Sequence, residues 1–146
     1  MNPRDPVPAT PADAPAVTGL LADAKLPTAD LTPERMAGFL LVRNGARLDG
    51  VVALEEYGTS GLLRSLAVAP ATRGTGLGKH LVAALEDRAR GRGIAELWLL
   101  TTTAADFFAQ AGYRVADRAG APSTVQKSAE FTNLCPSTAV CMVKAL

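Results

Sequence analysis

Residues Arg73-Gly74-Thr75-Gly76-Leu77-Gly78 follow an apolar, strand-like segment and lead directly into a helical pattern. Glycines let the backbone come close to a ligand, and the first N–H groups of a helix have no partner inside it. A strand, a glycine turn and a helix N-terminus in this order make an anion cradle, so a phosphate or pyrophosphate is the expected occupant.

Spacing decides which cradle it is. A P-loop needs Gly-x-x-x-x-Gly-Lys-Ser/Thr. Gly78-Lys79 fits its end, but Arg73 holds the first glycine position and His80 the Mg²⁺-binding hydroxyl position. A dinucleotide fold needs Gly-x-Gly-x-x-Gly after the first strand and an acidic residue about twenty positions on. Here the run is Gly74-x-Gly76-x-Gly78, late in the chain and without that acid. Neither nucleotide reading survives.

Composition narrows the class. The 146 residues suffice for one core, and 48% hydrophobic content argues against disorder. Fifteen basic against fourteen acidic residues leave a net +1, no field for nucleic acid or an anionic membrane. The proline-rich start, Met1-Asn2-Pro3-Arg4-Asp5-Pro6, has no apolar segment behind it, and no run reaches membrane-spanning length. A cytoplasmic protein is expected. Cys135 and Cys141 are too few for a disulfide framework. On one extended strand they would lie about 20 Å apart at roughly 3.3 Å per residue, so packed free thiols are expected and no metal site.

Along the chain, Pro3 to Pro15 starts as an extended lead. Thr10-Pro11 reads as N-cap and first turn of a helix to about Ala24, and Leu31–Gly38 as a second short helix. Strands Phe39–Arg43 and Leu48–Tyr57 flank Asn44-Gly45, a hairpin signal, and Leu62–Val68 is a third strand ended by Pro70. The helix after the glycine run aligns Leu77, Leu81 and Leu85 and runs to about Arg92. Then come a strand at Glu96–Thr101, a helix at Ala104–Ala111 with Gly112 as its left-handed stop, and a strand at Tyr113–Asp117. A loop with Pro122 leads to a last strand near Ala139–Val143. This is an α+β pattern in one domain, 1–146.

Leu66-Ala67-Val68-Ala69-Pro70 followed by Arg-x-x-Gly-x-Gly resembles the cofactor motif of the GNAT acetyltransferase superfamily. Leu-Trp-Leu-Leu-Thr-Thr-Thr (97–103) and Phe107-Phe108-Ala109-Gln110-Ala111-Gly112-Tyr113 extend the likeness over nearly the whole chain. The resemblance implies the GNAT fold: a mixed, mostly antiparallel sheet of six to seven strands, splayed at its centre and flanked by about four helices. It implies acetyl-CoA as co-substrate, with pyrophosphate on the amides of Arg73, Gly74, Thr75, Gly76, Leu77, Gly78 and Lys79. Pantetheine would lie along Leu66, Ala67 and Val68, with Phe108 beside the cofactor. Arg118, Ala121-Pro122, Glu130-Phe131 and Leu134-Cys135-Pro136 make the chain similar to acetyltransferases encoded with arsenic-resistance genes. The Leu-Thr-Thr run is more loosely similar to the acetyltransferase domain of N-acetylglutamate synthases, which acetylate an amino acid's amine. A homodimer exchanging C-terminal strands fits the family.

At the acceptor end the usual glutamate position is Leu62 and the usual tyrosine acid position is Phe108. Glu55 and Glu56 are the substitutes as general base, and at most one of them faces a cleft because adjacent strand residues point to opposite sides. The other reading is a solvated strand end, with water relays serving the reaction. Arg64 shares parity with Leu66 and Val68 and either clamps an acceptor carboxylate or is an ordinary surface arginine. His80 reads as helix surface and Trp98 as core. The expectation is an N-acetyltransferase acting by direct transfer on a small, amino-acid-like amine, without metal. The alternative is a non-catalytic sensor of acyl-CoA or an arsenical.

Overall fold

Proline lacks an N–H and is confined to sheet edges. Accordingly β1 (Val7–Pro8) lies at an edge, antiparallel to β2 (Phe39–Asn44) through Val7↔Leu41 and Pro8↔Leu40. The computed structural model describes residues 5–146; the lead expected at Pro3 and Arg4 lies outside them. β2 pairs antiparallel with β3 (Arg47–Tyr57) from Phe39↔Ala53 to Asn44↔Arg47, and Gly45, at φ +64°, makes the two-residue turn. β4 (Ser60–Val68), β5 (Glu96–Thr101), β6 (Arg114–Val115) and β7 (Val140–Ala145) complete a seven-stranded sheet of order β1-β2-β3-β4-β5-β7-β6. β4 and β5 run parallel through Ser60↔Glu96, Gly61↔Leu97 and Leu62↔Trp98, whereas β7 is antiparallel to both β5 and β6. The α-helices among the described residues are α1 (Ala14–Asp23), α2 (Leu77–Gly91), α3 (Ala105–Gln110) and α4 (Ser123–Gln126).

Several boundaries differ from the sequence reading. Residues Pro33–Gly38 form a 3-10 turn, not a regular helix, and the strand expected over Tyr113–Asp117 is only Arg114–Val115. Inside the expected loop lie α4 and a π-helical turn, Glu130–Leu134. Single π-turns are rare and are frequent at functional sites.

Two compact units divide the chain: residues 1–54 with 65–85, and residues 55–64 with 86–146. In the first, Val17, Leu21, Met36, Phe39, Leu41 and Val51 form the core. The helix expected from Thr10 starts as a 3-10 turn, Pro11–Asp13, which Thr10 caps and which leads into α1; the Asp13 carboxylate accepts the Thr10 N–H at 2.7 Å. Gly50 is what lets α2 approach β3. A Cβ there would lie 2.7 Å from Leu81 Cδ1 and 3.2 Å from Leu77 Cδ2. Leu81 is fully buried and cannot swing away. Gly50→Val is therefore expected to destabilise the protein by about 1–3 kcal/mol, read as a lower urea midpoint with unchanged slope.

In the second unit, Leu62, Trp98 and Val143 are register neighbours across β4, β5 and β7 and pack with Val125 and Phe131. Glu86 near the end of α2 is buried and accepts from Tyr113 Oη at 3.0 Å and from Lys144 Nζ at 3.0 and 3.1 Å. Burial first, and the Glu86 charge second, push the Tyr113 hydroxyl well above the usual tyrosine range, so it stays a donor.

Candidate active site

The glycine run forms a turn into α2, as its composition demands. Gly74 and Gly76 have φ +78° and +84°, a region that other residues adopt with strain. A Cβ at either would meet nothing within 4 Å, so conformation, not crowding, requires glycine there. The first intrahelical bond of α2 runs from His80 N–H to Gly76 O at 3.1 Å, and the amides of Leu77, Gly78 and Lys79 therefore precede the ladder. With the positive end of the helix dipole, these amides suit a diphosphate.

The turn before them is braced. Ala69 N–H donates to Asp49 O at 2.8 Å, Thr72 Oγ1 reaches the same carbonyl at 3.1 Å, and Thr75 Oγ1 donates to Thr72 O at 2.6 Å. Arg73 Nε lies 3.4 Å from Val68 O. Leu66 and Val68 are half-buried while Ala67 between them is buried, which turns Leu66 and Val68 away from the core that Ala67 joins. His80 is exposed, 3.9 Å from Asp5.

Glu55, Glu56 and Arg64, expected at the acceptor end, lie in the second unit. Arg64 is 3% exposed although it is an arginine. Its Nη1 sits 2.9 Å from Glu55 Oε2 and its Nε 3.1 Å from Glu130 Oε2. Tyr57 Oη donates to Glu55 Oε1 at 2.5 Å. Glu56 points elsewhere, into an exposed pair with Arg92 Nε at 2.5 Å. Adjacent strand residues do face opposite sides here, and Glu55 is the one in the buried cluster. Arg64 is no surface arginine, and two of its nitrogens already hold carboxylates of the chain itself. Ser65 at φ +61° is a left-handed non-glycine residue within β4. It interrupts the two-residue repeat, so parity does not carry from Arg64 to Leu66 and Val68.

Glu130, which sequence reasoning named only as part of a resemblance, is 3% exposed and completes the cluster. Its chain segment is held by Arg118, whose Nη1 donates to Pro136 O at 2.9 Å and Nη2 to Phe131 O at 2.6 Å, the guanidinium lying 5.5 Å from the Phe131 ring centre. Only a π-turn just before Cys135-Pro136 brings Glu130 to Arg64, and that turn has no simple sequence signature. The Cys135 thiol is pushed up to about 12, by burial first and by the Glu130 charge second. Cys141 is also pushed up by burial. Both are free cysteines and neither is an activated nucleophile. Phe108 is buried, edge-on to Phe107 at 5.1 Å and to Tyr113 at 5.6 Å.

The pattern of the acetyltransferase (GNAT) family matches residues 13–116, and the chain belongs to that family. It is similar to the amino-acid acetyltransferases of Neisseria meningitidis, at 33% identity over 91 residues, and of Ralstonia nicotianae, at 35% over 80 residues. These matches cover 61% and 53% of this chain but only 21% and 18% of those relatives. Among solved structures, the N-acetylglutamate synthase of Neisseria gonorrhoeae, complexed with coenzyme A and N-acetyl-glutamate, superposes with TM-score 0.85. Identity is 25%, over 97% of this chain and 34% of that one. Rv2747 of Mycobacterium tuberculosis, in complex with CoA and NLQ, gives TM-score 0.81 at 21% identity, covering 97% and 98%. At that identity the second likeness shows the fold alone.

Proposed function

We propose that the chain is one acetyltransferase domain that moves the acetyl group of acetyl-CoA to the amine of a small, amino-acid-like acceptor. The observation that carries this reading is the left-handed Gly74/Gly76 turn that exposes the first amides of α2 in a member of the GNAT family. The amides of residues 73–79 take the pyrophosphate, and the backbone of Leu66–Val68 takes pantetheine as an added strand. Relatives named for amino-acid acetylation support the acceptor class. In the reaction the amine nitrogen attacks the thioester carbonyl, and the C–S bond breaks as the C–N bond forms. Glu55 accepts the amine proton. Phe108 cannot supply a proton, so the CoA thiolate takes one from solvent. Arg64, engaged with Glu55 and Glu130, orients the base in place of clamping the acceptor.

Thiol release from acetyl-CoA across a panel of amino acids, polyamines and amine-bearing organoarsenicals tests this reading. Release with an α-amino acid above the rate without acceptor is expected. Tight acetyl-CoA binding with no release for any amine would instead establish a sensor.

A further inference from the structure

Along β2 and β3, Val42 pairs with Gly50 and Arg43 with Leu48, which leaves Asp49 as the extra residue of a β-bulge. A bulge bends its strand and takes the extra residue out of the ladder. The Asp49 carbonyl here serves the segment that leads into the glycine turn. It accepts the Ala69 N–H at 2.8 Å and lies 3.1 Å from Thr72 Oγ1. Thr72 Oγ1 is also 3.0 Å from Ala69 O, so its single proton is shared between two carbonyls. Thr72 O in turn accepts from Thr75 Oγ1, inside the glycine run, at 2.6 Å. The bulge is itself anchored. Arg47 Nε holds the buried Asp49 carboxylate at 2.7 Å, and Gly50 beside it lets Leu77 and Leu81 of α2 pack close. Thr72 therefore stands between an anchored strand and a turn whose left-handed glycines, Gly74 and Gly76, lose the most freedom on ordering.

We propose that Thr72 is a positioning residue for the cofactor. Its hydroxyl ties the glycine turn to the Asp49 bulge, so that the amides opening α2 hold their pyrophosphate-binding arrangement before CoA arrives. A site that is competent only part of the time binds more weakly by that fraction. Without the hydroxyl, the backbone bond from Ala69 to Asp49 remains, but the side-chain tie beyond it is lost. Thr72 acts through the turn, so its effect falls on cofactor binding and not on acetyl transfer. The proposal rests on the cradle reading above.

Thr72→Val keeps the size and the β-branch and removes the hydroxyl. Its dissociation constant for CoA is expected to rise by roughly 3- to 10-fold, the range for losing one neutral hydrogen bond. At saturating acetyl-CoA, kcat should stay within about twofold of wild type. Thr72→Ser, which restores the hydroxyl, should recover most of the affinity. In free Thr72→Val the backbone order parameters of Gly74 and Gly76 should fall, and saturating CoA should return them to wild-type values. CoA-induced shifts of these two amides in the wild type are recorded first. Their absence overturns the cradle and this proposal together; their presence, with CoA affinity unchanged in Thr72→Val, overturns this proposal alone. Equal loss of affinity in the Val and Ser variants would also overturn it, as would a fall in kcat as large as the fall in affinity. Failure of both variants to fold would do the same, as the mark of a merely structural residue.

Discussion

Glu86→Ala is expected to destabilise the protein by about 3 kcal/mol, near the lower end for breaking a buried ion pair. The variant leaves Tyr113 Oη and Lys144 Nζ without the carboxylate that accepts from both. Tyr113 is 3% exposed and cannot turn to water. Lys144 retains 24% side-chain exposure and a bond to Ala111 O at 2.9 Å, which keeps the loss from being larger. At about 2–4 °C per kcal/mol for a chain of this size, Tm should fall by roughly 6–12 °C. Glu86→Gln keeps an acceptor oxygen, so less than half that loss is expected. A thermal melt in which both variants match wild type would show that the cluster carries no net stability.

The second large effect concerns function. Gly76→Asp places a carboxylate on a left-handed residue at the mouth of α2, where the cofactor's pyrophosphate is proposed to sit. A Cβ meets nothing within 4 Å there, and aspartate is among the side chains that tolerate this conformation. The fold should therefore survive with a loss of only about 1 kcal/mol. Affinity for CoA should fall by at least about 100-fold, because the new charge repels the diphosphate. Gly76→Ala separates the two contributions: strain without charge, and a much smaller loss of affinity. Equal CoA affinity in Gly76→Asp and wild type, by calorimetric titration, would remove the cradle from the site.

What was legible in the sequence was local. The strand, glycine turn and helix at 62–91 could be read because turn glycines and a spacing of four between Leu77, Leu81 and Leu85 are signals within a few residues of one another. Gly112 likewise stands at φ +100°, as a helix stop requires. Pairings over long separations were not legible. Glu86 meets Tyr113 and Lys144 at separations of 27 and 58 residues, and Glu130 reaches Arg64 only through a π-turn. Arg64 does not share parity with Leu66 and Val68, because the left-handed Ser65 shifts the register of side chains within β4. Alternation along a strand separates Glu55 from Glu56, but only the structure shows that Glu55 joins the buried arginine while Glu56 pairs with Arg92 in solvent.

Acetyl-CoA is proposed to be held by the amides between Val68 and Lys79. An ¹⁵N-labelled protein titrated with CoA tests it directly. The largest amide shifts should fall on Gly74, Gly76, Leu77, Gly78 and Lys79 and on the end of β4, saturating together with one affinity. Saturable CoA binding that leaves these amides unmoved, or no binding at millimolar CoA, would contradict it.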